Sequence, residues 1–347
     1  MKKLLFILAI SCFAYISKAQ QQYVFTNFMM NDYYYNPAVA GSKKFHYANL
    51  GFRMQWAGFN EAPMTMYANF YGSVKNEMKH GYGISIVNDR SGLVNNTAIS
   101  LNYAYHVKLG EKWKLGMGVK PGFIQYNIKL YDALLADEGD NILEGNVLST
   151  GAFDLSSGIH LYSERFFFML SMRHIFGDAI TFTGFNDGLS KHYTGIVGYN
   201  WWVNKKSKQR QLELLDKQRK GTLEEGEEVA KKKIKDFELM PIIMVNYVNP
   251  ITPQGTAMLK ATFDHKYWAG LSYRTQDALG ISLGMVIKER LNIGYSFDYS
   301  MGQIQGYNYG SHELMLSFQT TSKKKSLEEQ DEELNNSIFD TPESDKK

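Results

Sequence analysis

Ser311-His312-Glu313 brings together the three side-chain types of an acyl-transfer site: a hydroxyl, an imidazole and a carboxylate. Their spacing argues against that use. The surrounding residues alternate like a strand, and adjacent strand residues point to opposite faces, so Ser311 and His312 cannot form a nucleophile–base pair. The other histidines, among them His80, His106, His160, His174, His192 and His265, are scattered over different segments, with no zinc-spaced pair. Gly81-x-Gly83 and Gly116-x-Gly118 lie inside strand-like runs; glycines there suit close backbone approach better than a phosphate cradle. Walker loops and nucleophile elbows are absent. No catalytic, cofactor-binding or metal-binding residue is assigned, and the chain is expected not to be an enzyme. Its one cysteine, Cys12, lies in the leading apolar segment, which leaves the rest without disulfides or thiolate metal sites. A net charge of +3 gives no case for nucleic acid.

The elements that carry these residues read as long strands. Ile99, Leu101, Tyr103, Tyr105, Val107 and Leu109 alternate with Ser100, Asn102, Ala104, His106 and Lys108. Leu291 to Tyr299 and Leu279 to Ile287 repeat the pattern. Such a segment has one greasy face and one small or polar face. A soluble barrel would crowd charge on its outer face. Here the second face is mostly Gly, Ser, Asn and Thr, which suits a wet lumen with the greasy face toward lipid. Fourteen candidate strands follow, near 45–56, 63–73, 80–89, 96–109, 112–127, 151–163, 165–174, 189–203, 237–249, 254–264, 266–274, 277–288, 290–302 and 309–320. The ninth alternates least cleanly. The expected fold is all-β: a transmembrane antiparallel β-barrel of about fourteen strands.

Arg53, Lys108, Lys114, Lys120, Asp154, Arg173, Lys260, Asp298 and Glu313 fall on the inferred inner faces, with mixed signs. A charge inside a barrel must reach water or a partner. A salt-bridged network filling the lumen is therefore preferred to an ion-selective pore.

Lys2 and Lys3, the apolar run Leu4–Ile16 and Ser17-Lys18-Ala19 form a secretory signal peptide, residues 1–19. A run of thirteen residues is too short for the ~20 of a spanning helix. Residues 20–44 are expected as a periplasmic segment and turn leading into a barrel over 45–320. An even strand count puts both termini in the periplasm and the odd-numbered connections outside. The even ones at 110–112, 163–165, 264–266 and 288–290 are tight and charged, whereas 128–150 and 175–188 are long. The exception is 204–236, an even connection with eleven Lys/Arg and seven Asp/Glu, expected as a short helical insert in the periplasm. The tail 321–347, with its acidic run Glu328 to Glu333, reads as solvated and flexible.

Tyr35-Asn36-Pro37-Ala38-Val39-Ala40-Gly41-Ser42, then Arg53-Met54-Gln55-Trp56, then Gly310-Ser311-His312-Glu313-Leu314 occur in this order. Together they resemble the PorP/SprF family of outer-membrane proteins, over roughly residues 22–318. The resemblance implies a barrel of type IX secretion and gliding-motility systems, at the cell surface. Its implied partners are secreted type IX cargo or a surface adhesin, and periplasmic secretion or motility components. The motif residues Asn36, Pro37, Ala38, Ala40, Gly41, Arg53, Gln55, Trp56, Gly310, Ser311, His312 and Glu313 are structural candidates. Asn36, preceding proline, should be extended, and Gly41 should take a positive φ. Arg53 and Gln55 share the inner phase of the first strand; Met54 and Trp56 share the lipid phase, Trp56 as part of an interfacial aromatic girdle. Glu313 should neutralise Arg53 where the first and last strands meet. The combined expectation is a non-enzymatic outer-membrane component that tethers secreted surface proteins and contacts periplasmic partners. The alternative is a passive porin or hydrophobic-solute transporter.

Overall fold

In a computed structural model the described residues are 24–129, 147–177, 179–182, 185–204, 235–249, 251–301 and 304–320, with scattered positions between 210 and 222. The expected signal peptide, the 321–347 tail, residues 130–146 of the first long loop and most of the 204–236 insert lie outside them. Within the insert Arg210, Gln211, Glu213, Leu214 and Lys217 are helical.

Fourteen antiparallel strands close into a barrel. They are β1 (Tyr47–Met54), β2 (Met64–Ser73), β3 (His80–Ser91), β4 (Val94–Leu109), β5 (Trp113–Lys129), β6 (Val147–Tyr162), β7 (Phe166–Arg173), β8 (His192–Tyr199, prolonged by Trp201–Trp202), β9 (Phe237–Val248), β10 (Gln254–Phe263), β11 (Tyr267–Arg274), β12 (Ala278–Ile287), β13 (Leu291–Ser300) and β14 (Ser311–Gln319). Each pairs with its sequence neighbours, and β1 pairs with β14 from Tyr47↔Gln319 to Met54↔His312. A small hairpin, Ala179–Phe182 with Phe185–Gly188, forms a separate two-stranded sheet in the seventh connection.

Burial is inverted relative to a water-soluble protein. Leu101 and Leu283 are 61% and 57% exposed, while their strand neighbours Asn102 and Ser282 are 7% and 1% exposed. Ile84, Ile86, Leu271, Ile281 and Tyr295 continue the outer apolar surface, and Ser85, Ser156 and Ser296 continue the buried inner one. Period-two alternation puts hydrocarbon outside and small polar groups inside, the arrangement that lipid demands.

The barrel has a turn end and a loop end. At the turn end are 74–79, 110–112, 163–165, 264–266 and 288–290, together with the start of β1 and the finish of β14. The long connections 55–63, 130–146, 174–191 and 301–310 are at the loop end, although two of its connections, 92–93 and 275–277, are tight.

Two expectations need correction. The expected periplasmic segment 20–44 is corrected over residues 24–42, which lie within the barrel, with Phe25, Phe28, Tyr33, Tyr35, Ala38 and Ala40 at most 1% exposed; only Lys43 and Lys44 emerge, exposed, at the turn end. An apolar, tyrosine-rich segment has a lower free energy packed in the lumen than exposed to water. In consequence the described chain starts and finishes at opposite ends of the barrel, although β1 and β14 obey the even-count rule. The weak alternation of β9 has the same cause. Its inward Ile242 and Met244 belong to the buried cluster that includes Phe25, Tyr34 and Tyr35, so both faces of β9 are apolar.

Candidate functional site: the plugged lumen

The plug consists of two layers. Near the turn end, Asn36 is extended (φ −139°, ψ 116°), as the following Pro37 requires. Its Oδ1 accepts from Ala38 N at 2.8 Å and caps the short 3-10 turn Pro37–Val39. Its Nδ2 donates to Ile159 O at 2.8 Å and Leu170 O at 3.2 Å, tying the plug to β6 and β7. Asn102 Nδ2 donates to Pro37 O, and His106 Nε2 lies 2.7 Å from Ala40 O. Gly41 follows at φ +84°, the conformation expected of it.

The barrel wall opposite this turn is glycine. A Cβ on Gly81 would lie 2.0 Å from Ala40 O, and one on Gly118 2.5 Å from Ala38 N. The small Asn-Pro-Ala-Val-Ala-Gly segment thus packs backbone to backbone against β3 and β5, the role that glycine pairs within strands allow. Gly81→Ala is expected to unseat this turn, with an overpacking penalty of about 1–3 kcal/mol. Gly195→Ala, where a Cβ meets nothing within 4 Å, is the matched control. Hydrogen exchange of residues 36–42 measures the difference; equal protection in the two variants would refute the packing argument.

Toward the loop end the plug is held by charge. Arg53 and Glu313 face each other across the β1–β14 pair, Nη1 to Oε2 at 3.1 Å. Arg53 Nη2 also meets Asp298 Oδ2 at 2.9 Å, and Arg274 Nη1 meets Asp277 Oδ2 at 2.8 Å and Asp298 Oδ2 at 3.4 Å. Arg53, Asp298 and Glu313 side chains are at most 2% exposed. The plug completes the network. Thr26 N and Asn27 N donate to the two oxygens of Glu313, at 2.9 and 3.2 Å. Thr26 Oγ1 accepts from Arg53 Nη1 and donates to Asp298 Oδ1. Buried charges persist when paired and further hydrogen-bonded, as here.

Between the layers, Asn69 Nδ2 donates to Asn31 Oδ1 at 2.8 Å and Arg173 Nη1 donates to Tyr34 OH at 2.8 Å. Lys120 Nζ reaches Tyr34 O at 3.4 Å. Tyr33 stacks on Tyr71, and Phe25 packs edge-on to Tyr34, Tyr35 and Tyr67.

Of the inner-face charges expected from the sequence, Arg53, Lys120, Arg173, Asp298 and Glu313 converge on the plug. Asp154 instead pairs with His174 at 2.9 Å, and Lys260 lies over the Trp268 ring at 4.8 Å. Lys108 is exposed beside Lys114, its partner across the β4–β5 ladder. Ser311 and His312 do point apart. Ser311 is buried and its Oγ accepts from Trp56 N, whereas His312 Nδ1 meets Tyr295 OH on the outer face. Gly310 takes φ +85° just before β14. Trp56 departs from the expected strand phase. β1 stops at Met54, and Trp56 sits in the following turn at φ 54°. Gln55 there donates its N–H to Pro63 O. The residues that sequence reasoning missed are Thr26, Asn31 and the aromatic run of the plug. The signal was present: Phe25, Phe28 and Tyr33 to Tyr35 are too apolar for a solvated leader.

A family model described as type IX secretion system membrane protein PorP/SprF matches residues 17–318. The chain belongs to the PorP/SprF family. The match includes the plug, the barrel as far as Phe318 in β14, and the motifs at Asn36, Arg53 and Glu313. PorP/SprF membership and the barrel fold together place the protein in the outer membrane. None of the curated proteins matches this sequence. Similar solved structures are outer-membrane barrels. The Ralstonia pickettii toluene transporter TbuX is 11% identical, with 84% of this chain and 92% of that one covered and a TM-score of 0.43. The Acinetobacter baumannii outer membrane protein Omp33 is 7% identical, with 81% and 100% covered and a TM-score of 0.43. The Pseudomonas putida toluene transporter TodX is 8% identical, with 86% and 94% covered and a TM-score of 0.42.

Proposed function

We propose that this PorP/SprF barrel is a closed, non-enzymatic scaffold of the type IX secretion system. It tethers secreted surface proteins at its loop end and contacts periplasmic partners at its turn end. The observation that carries this reading is the plug: the barrel spends residues 24–42 of its own chain filling its lumen. A protein whose lumen is occupied acts through its rims. At the loop end, residues 128–150 and 175–188 are the proposed cargo contacts. At the turn end, the strongly charged 204–236 insert is the proposed periplasmic contact. Polar, charge-rich segments of this kind bind through complementary charge, which favours partner choice and encounter rate.

The test is affinity purification of the protein from detergent-solubilised outer membrane, with partners identified by mass. Deleting residues 205–234 is expected to leave barrel assembly unchanged and to remove most of the periplasmic partners, while cargo stays. Undiminished recovery of periplasmic partners would reject the role of the insert, and recovery of the barrel alone from native membranes would reject the scaffold.

A further inference from the structure

The path of the plug has a direction. His46 N donates to Thr320 Oγ1 at the turn end. Ala40 lies against Gly81, and Ala38 against Gly118, a few residues from the turn ends of β3 and β5. Met30 O accepts from Asn49 Nδ2, higher on β1. Thr26 reaches Arg53, Asp298 and Glu313, all within three residues of the loop ends of β1, β13 and β14. Val24 is higher still, in a cleft with His192, Thr194, Val248, Ile251 and Gln254, where β8 begins, β9 finishes and β10 begins. Read backward from β1, the chain climbs the lumen from one mouth to the other.

We infer that the mature N-terminus is displayed at the loop end of the barrel, on the cell-surface side, so that the chain threads its own lumen and its two ends lie on opposite sides of the membrane. With the signal peptide cut after Ala19, four residues, Gln20 to Tyr23, precede Val24. Fully extended, four residues reach at most about 14 Å. The outer apolar band of such a barrel is about 25 Å tall, and polar backbone cannot cross it unpaired. The lumen below Val24 is filled by the plug. The terminus therefore stays at the mouth where Val24 leaves it, beside loops 174–191 and 249–253. This places a free amino end among the surface loops, whether or not the scaffold reading holds.

The mature chain contains no cysteine, which makes the test clean. Three single variants, Gln22→Cys, Tyr307→Cys in the exposed 301–310 loop and Glu111→Cys in the β4–β5 turn, are treated in whole cells with a membrane-impermeant maleimide. Gln22→Cys is expected to label with Tyr307→Cys in intact cells, and Glu111→Cys only after the outer membrane is opened. If Gln22→Cys stays unlabelled in intact cells that label Tyr307→Cys, the threading is wrong. Partner recovery plays no part in this readout, so the scaffold reading stands or falls separately.

Discussion

Replacing Arg53 by alanine is expected to lower barrel stability more than any other single substitution in the wall. The guanidinium lies between Glu313 and Asp298, with both carboxylates out of contact with solvent. Removing it leaves two buried anions whose remaining partners are Thr26, Asn27 and Arg274. Breaking one side of a buried ion pair generally destabilises by about 3–5 kcal/mol, because the other charge is left uncompensated. Glu313→Ala should cost a similar amount, since it also deprives Thr26 N and Asn27 N of their acceptor. The double variant should lose clearly less than the sum, as residues of one network do. Heat-modifiable migration on gels gives the midpoint for each barrel. Additive losses through the cycle would show that the pair has no energetic link. The position of the network adds a second consequence. Thr26 and Asn27 bond to β14 while Thr26 also bonds to β1, so the plug bridges the strands that close the barrel. The Arg53 variant should therefore also show more proteolysis within residues 24–46.

Deleting residues 24–41 is the second change of large expected effect: it should turn a closed barrel into a conducting one. Barrels of eight strands are filled by their own side chains, whereas those of sixteen to eighteen hold an aqueous channel. Fourteen strands with small inward residues such as Ser85, Asn102, Ser156, Ser282 and Ser296 leave a lumen that side chains alone do not fill. The plug supplies the missing volume with Phe25, Phe28, Tyr33, Tyr34 and Tyr35. The strand ladders do not pass through the plug, so the shortened protein should still assemble. In planar bilayers the full chain should give no steady conductance, and the deletion should give stable open steps. Equal conductance from both would mean that the lumen was open all along and would restore the porin alternative.

Much of the architecture was legible in the sequence because lipid imposes a strict rule. Every strand must show an apolar face outward, and alternation is a local property of neighbouring residues. The runs around Leu101 and Leu283 reveal it without any partner in view. The tight charged turns at 110–112 and 288–290 mark one rim for the same local reason. Arg53 and Glu313 were also within reach, since both lie on the inner phase and closure must bring the first and last strands together.

The contents of the lumen were decided only by tertiary structure. Whether an apolar segment outside any strand lies in water, in lipid or inside a wall depends on the volume the closed barrel leaves free. That volume is set by all fourteen strands at once. Asn36 and Gly41 announce their backbone shapes locally, but Gly81, Gly118 and Gly158 give that segment its seat from three distant strands. Thr26 carries no mark in the sequence of its bonds to Arg53, Asp298 and Glu313, because those residues meet only when the circle is complete. Alternation between neighbouring residues determined the wall; long-range closure determined what fills it.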